Sequence, residues 1–159
     1  MSEIWRTVSL GHYADGASYR AAIKNKGVII SDAADKLLDA PGIWASRIEA
    51  AVIKLVVRSM AELGLKGEAE YAYIARRAQE KGLQPCPAEV GPALCLQYTQ
   101  PEGEWLIVAM NPVFVSKRDS KIFGIGHGHV HTKETDRTLV AAPSYKRWVH
   151  DRSFIFWQP

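Results

Sequence analysis

The sequence predicts an α+β fold, with N-terminal helices packed on one face of a C-terminal antiparallel β-meander. Two observations carry that prediction. Apolar residues recur at helical spacing up to Lys81, whereas beyond residue 93 they come in short runs of strand length. Between these regions the prolines at 85, 87 and 92 exclude a long regular element. Helices first and a meander after them form one layer of helices on one sheet. All 159 residues are therefore expected in a single domain, helical over about 14–82 and β over about 93–158.

Each element rests on local signals. Ile4, Val8 and Leu10 alternate weakly with polar residues and suggest a short strand or an ordered arm. Ser18–Asn25 reads as a short helix stopped by Gly27. Ser31 is a good N-cap for a second helix through Leu37 and Leu38, which Pro41-Gly42 should end. Residues 47–63 read in two ways. Ile48, Ala51, Val52, Leu55 and Ser59 form a stripe that favours one helix of about four turns. The β-branched run Val52-Ile53-Lys54-Leu55-Val56-Val57 favours a strand at its centre. Periodicity tips the reading to helix.

Gly64 and Gly67 break the chain before a clear helix over Glu68–Lys81, with Gly82 as its stop. Strands are expected at Ala93–Tyr98, Glu104–Met110, Phe114–Ser116, Lys121–Val130, Thr138–Ala142 and Ser153–Trp157. Short strands joined by short turns imply antiparallel pairing. The last strand is apolar on both faces, Phe154 and Phe156 on one, Ile155 and Trp157 on the other. Such a strand is either central in the sheet or pairs with a second copy in a homodimer.

Composition bounds the class. Hydrophobic content of 47% with 23% charged residues marks a folded globular chain. No run approaches the roughly 18 apolar residues of a membrane span, and the N-terminus lacks a secretory profile. Two cysteines, Cys86 and Cys95, make no disulfide framework, so a reducing cytoplasm is expected. A net charge of +3 permits nucleic-acid or acidic partners without demanding them.

Three constellations could carry chemistry. In Gly126-His127-Gly128-His129-Val130-His131 an extended strand would point His127, His129 and His131 the same way, roughly 6.5–7 Å apart. Phe123 and Ile125 would share that face. This pattern could hold Zn²⁺, the one cofactor the sequence suggests, with a further ligand from Glu134, Asp136 or His150. A solvated Gly/His hairpin end needs no ion at all. In Tyr145-Lys146-Arg147-Trp148 cations and aromatic faces alternate, as on single-strand nucleic-acid surfaces. The plainer alternative is a hairpin with Trp148 in the core and the charges in water. Combined with the histidines, that run would suit a small ribonuclease: His129, His131 or Glu134 would move protons while Lys146 and Arg147 stabilise phosphoryl charge. Cys86 has no neighbouring base and reads as a structural thiol. Glu89 is the one carboxylate in the most distinctive segment; it could be a buried acid, but bonds to backbone groups account for it as well.

From Ile30 to Met110 the chain resembles a family of short bacterial proteins of unassigned activity. The matching pieces are Ile30-Ser31-Asp32-Ala33-Ala34, Ala61-Glu62-Leu63-Gly64, Ile74-Ala75-Arg76-Arg77-Ala78, Pro85-Cys86-Pro87-Ala88-Glu89-Val90-Gly91-Pro92 and Gly103-Glu104-Trp105-Leu106. The resemblance implies a compact domain and brings no site residue or cofactor with it. Proteins of this type often travel on mobile gene cassettes. The expected function is a non-catalytic module binding a small ligand, a protein partner or itself. The alternative is a small hydrolase, metal-dependent or ribonuclease-like.

Overall fold

The computed structural model describes residues 3–45, 50–128, 136–149 and 152–159. Strand β1 (Arg6–Leu10) leads to helix α1 (Gly16–Asn25), β2 (Ile29–Ile30), α2 (Asp32–Leu38), α3 (Pro41–Ala45) and β3 (Ala51–Ser59). The middle of the chain holds β4 (Ala69–Glu70), α4 (Tyr71–Glu80) and α5 (Val90–Gln97). Then follow β5 (Trp105–Val108), β6 (Val113–Ser116), β7 (Asp119–His127), β8 (Arg137–Pro143), β9 (Arg147–Trp148) and β10 (Ser153–Gln158).

The helices-then-meander expectation is overturned. Eight strands form one mixed sheet in the order β1-β3-β10-β5-β7-β8-β2, with β6 beside β7, and β4 and β9 form a small second sheet. The supposed helical part supplies β2, β3 and β4, while the supposed β part begins with a helix. The two termini meet in the middle, because β10 inserts between β3 and β5. It runs antiparallel to β3 and parallel to β5, and β2 is likewise parallel to β8. Turn length dictates pairing only between sequence neighbours such as β6, β7 and β8. It says nothing about strands brought from the chain ends. With β3 and β5 on its two edges, β10 takes the central place that its two apolar faces require.

Two further elements differ from expectation. Residues 51–59 are strand β3 rather than part of a four-turn helix. Its β-branched side chains pack on both faces of the sheet, and cross-strand packing outweighs a helical stripe that is only partly apolar. Residues 93–97 belong to α5, not to a strand. This helix is apolar all round and its first six residues are buried, so neither helical nor strand alternation marks it. Pro92 sits in its first turn, where no intrahelical N–H bond is lost. Similarly, Pro41-Gly42 opens α3 instead of merely closing α2.

The caps follow the sequence. The Asp15 side chain accepts the Ser18 N–H at 2.8 Å, and Ser31 accepts that of Ala34 at 3.2 Å. Gly27 and Gly82 follow α1 and α4 at φ of 82°, a conformation that side-chain-bearing residues resist.

Helix α5 organises the core. It touches β1 near one end of the sheet and β7 and β8 near the other, so the sheet curves around it. Gly91 lies against β7 so closely that a Cβ would stand 2.8 Å from Phe123 Cβ. Ile125 shares that face with Phe123, and its cross-strand partners are Leu106 and Leu139. On the opposite face Phe154 stacks on Tyr71 from α4 at 6.3 Å and meets Trp148 edge-on at 5.4 Å. Among the described residues, no helix is long and apolar enough to cross a membrane.

Candidate functional site

The segment Cys86–Pro92 closes one end of the curved sheet. Its N-terminal side is stitched to the sheet: Gln84 and Trp157 exchange two backbone hydrogen bonds of 2.9 Å. The Cys86 N–H donates to Ala109 O at 2.6 Å, and its thiol lies 3.4 Å from Ile155 O. Burial pushes that thiol well above its ordinary range. Cys86 is thus a structural thiol, as its surroundings in the sequence suggest.

Glu89, just before α5, is the unusual member. It is 1% exposed. Its Oε2 accepts the Gly11 N–H at 2.7 Å and the Tyr19 hydroxyl. Its Oε1 is equally buried and, among the described residues, has no hydrogen-bond partner. A buried acceptor without a donor costs on the order of 1–3 kcal/mol. Tyr19 is held in turn by aromatic neighbours, Trp44 stacked at 5.6 Å and Tyr13 edge-on at 5.1 Å.

Glu89 also lines a cleft of about 570 Å³. Its walls are Gly42 and Ile43 from α3, Pro85 to Ala88, Asn111 to Phe114, and Trp157. The cleft therefore lies at the carboxyl ends of the parallel neighbours β5 and β10, the kind of position at which open mixed sheets hold ligands. Prolines 85, 87 and 112 fix much of the wall, and Phe114 stands 62% exposed at its edge. A volume of this size falls within the span of small-molecule sites.

Of the other residues singled out from the sequence, His127 and Tyr145–Trp148 are not among those that line the cleft. Strand β7 ends at His127, and Gly128 follows at φ 88°, outside the extended region. The His127 Nδ1 lies 2.8 Å from Gln100 O. Gln100 Nε2 also donates to Ile125 O at 3.2 Å and reaches Glu104 Oε1 at 3.3 Å. His129, His131, Glu134 and His150 lie outside the described residues. Among the described residues no group of three or more His, Cys, Asp or Glu is placed to hold a metal ion.

The basic-aromatic run divides between core and surface. Trp148 is 2% exposed and packs on Phe154, whereas Tyr145 is 67% exposed. Lys146 Nζ sits 5.0 Å from the Trp148 ring. Arg147 faces two carboxylates, Glu68 at 3.3 Å and Glu70 at 3.4 Å. Its charge is matched locally, which weakens the attraction for phosphate that the sequence suggests.

Gly11, Tyr19, Asn111, Phe114 and Trp157 have no signal in the sequence that links them to Glu89. The only available pointer is Glu89 itself, a lone acid in a run of Pro, Cys, Ala, Val and Gly. Comparison with protein-family models, curated proteins and solved structures finds no match to this chain.

Proposed function

We propose that the protein is a non-catalytic small-molecule binding protein and that its site is the cleft walled by Pro85–Glu89, Asn111–Phe114 and Trp157. The observation that carries this reading is the 570 Å³ cleft itself, with rigid prolines and the aromatic side chains of Phe114 and Trp157 among its lining residues. The apolar walls would supply most of the affinity.

Two buried, unpaired thiols, Cys86 and Cys95, support placement in a reducing cytoplasm.

The test is a fragment screen of the full chain followed by two-dimensional amide NMR. Binding should move signals of Cys86–Glu89, Asn111, Val113, Phe114 and Trp157 together and saturably. Fragments that shift only signals elsewhere, or none at all, remove the cleft as the site. Zn²⁺ titration on the same sample addresses the hydrolase alternative: stoichiometric binding that broadens His127 would favour it over the cleft.

A further inference from the structure

Resting on the cleft reading above, we propose that the ligand carries an aromatic ring, seated against Phe114 and Trp157. The wall of the cleft is stiff. Pro85, Pro87 and Pro112 line it with fixed φ angles. Gly42 brings α3 so close to β6 that a Cβ there would stand 3.2 Å from Val113 Cγ1. Backbone packing and proline rings thus set the wall, and a rigid, flat ligand gives up little freedom on entering it.

The same positions are poor in hydrogen-bond donors. The three prolines have no N–H. The N–H groups of Cys86 and Trp157 are already given to Ala109 O at 2.6 Å and Gln84 O at 2.9 Å. These five lining positions therefore offer a ligand no free backbone donor. A phosphate ester or a sugar would leave hydrogen bonds unmade against them. What the wall does offer is ring surface. Phe114 is 62% exposed, so most of its side chain is free for contact without rearrangement. Trp157 is partly buried and held in β10 opposite Leu55. Aromatic pairs, stacked or edge-on, gain a directional attraction beyond the area they bury. A saturated ring buries as much apolar surface but lacks that attraction.

A matched set of probes separates this inference from the reading beneath it. 2-Phenylethanol and 2-cyclohexylethanol share a head and a ring size and differ in aromaticity; glucose is the polar control. Each is titrated into the full chain while the amide signals of Asn111, Phe114 and Trp157 are followed. The phenyl compound is expected to bind about three- to tenfold more tightly than the cyclohexyl one. Burial alone gives no such advantage, because the saturated ring is at least as apolar. Glucose should give no saturable shift there. Phe114→Leu, at an exposed position, keeps an apolar side chain without the ring and should lower the phenyl preference about twofold or more. If that variant does not fold, the order of the three probes on the wild type decides alone. Equal or reversed affinities for the two alcohols, saturable glucose binding, or a preference unchanged in Phe114→Leu would overturn the aromatic-ring proposal and leave small-molecule binding standing. Fragments that bind at the cleft while none of the three probes does would have the same meaning. No compound binding at the cleft would overturn both.

Discussion

The Tyr19 hydroxyl donates to Glu89 Oε2 across 70 positions of sequence, joining helix α1 to the residue that precedes the buried helix α5. Gly11, just beyond β1, donates to the same oxygen. One carboxylate thus ties the N-terminal strand and helix to the segment that walls the cleft. Both donors converge on Oε2, and among the described residues Oε1 has no hydrogen-bond partner.

Tyr19→Phe removes the hydroxyl and leaves the ring stack with Trp44 in place. Loss of a hydrogen bond to a buried acceptor is expected to cost about 1–3 kcal/mol, read from urea unfolding at equilibrium. A double-mutant cycle with Glu89→Gln should show coupling between the two sites. Strict additivity would mean that the bond contributes nothing to folding.

How far the sequence discloses this arrangement differs from element to element. Capped helices α1 and α2 and hairpin β7–β8 are local, and their signals lie within the segments themselves. Residues 93–97 are a short apolar run, and a buried helix cannot be told from a buried strand there by periodicity. For β3 the β-branched run was the better guide than the stripe. Sheet order was out of reach because β10 and β3 are brought together from distant parts of the chain. Glu89 stood out as a lone acid in an apolar segment, but its donors at Gly11 and Tyr19 are set by tertiary packing alone.

Gly91→Ala probes the close approach of α5 to the sheet. Its Cβ would stand 2.8 Å from Phe123 Cβ, so either helix or strand must move. Overpacking of this kind is expected to cost roughly 1–3 kcal/mol. Chemical denaturation checks it, and an unchanged midpoint would show that the interface yields freely.

Tyr98 gives the protein an alkaline limit. Burial first, and then the hydrogen bond it donates to Glu104 Oε1 at 2.7 Å, pushes its phenol up to about 12 from an ordinary 10.0. The folded protein keeps a proton that the unfolded chain releases, so stability falls as pH rises from about 10 to about 12. Below pH of about 10 the contribution is intact. Tyr98→Phe should flatten part of that decline in a series of unfolding midpoints against pH. Tyr71, Cys86 and Cys95, raised in the same direction by burial, account for a remaining slope of the same sign. Parallel pH profiles for variant and wild type would show that Tyr98 has no such role.

The thiols give a check on the packing around the cleft. Cys86 and Cys95 are buried, and burial raises both, Cys95 to about 12. Thiolate is the reactive form. Neither should react quickly with a disulfide reagent at neutral pH in the native state, and both should react on unfolding. Fast native labelling of Cys86 would mean that the cleft opens to its floor.

The most direct measurement follows the Asn111, Phe114 and Trp157 amide signals while a fragment from the screen is titrated into the full chain. If the cleft holds the ligand, the three signals move together and saturate together. Saturable shifts confined to other parts of the chain, or none at all, would contradict the cleft as the binding site.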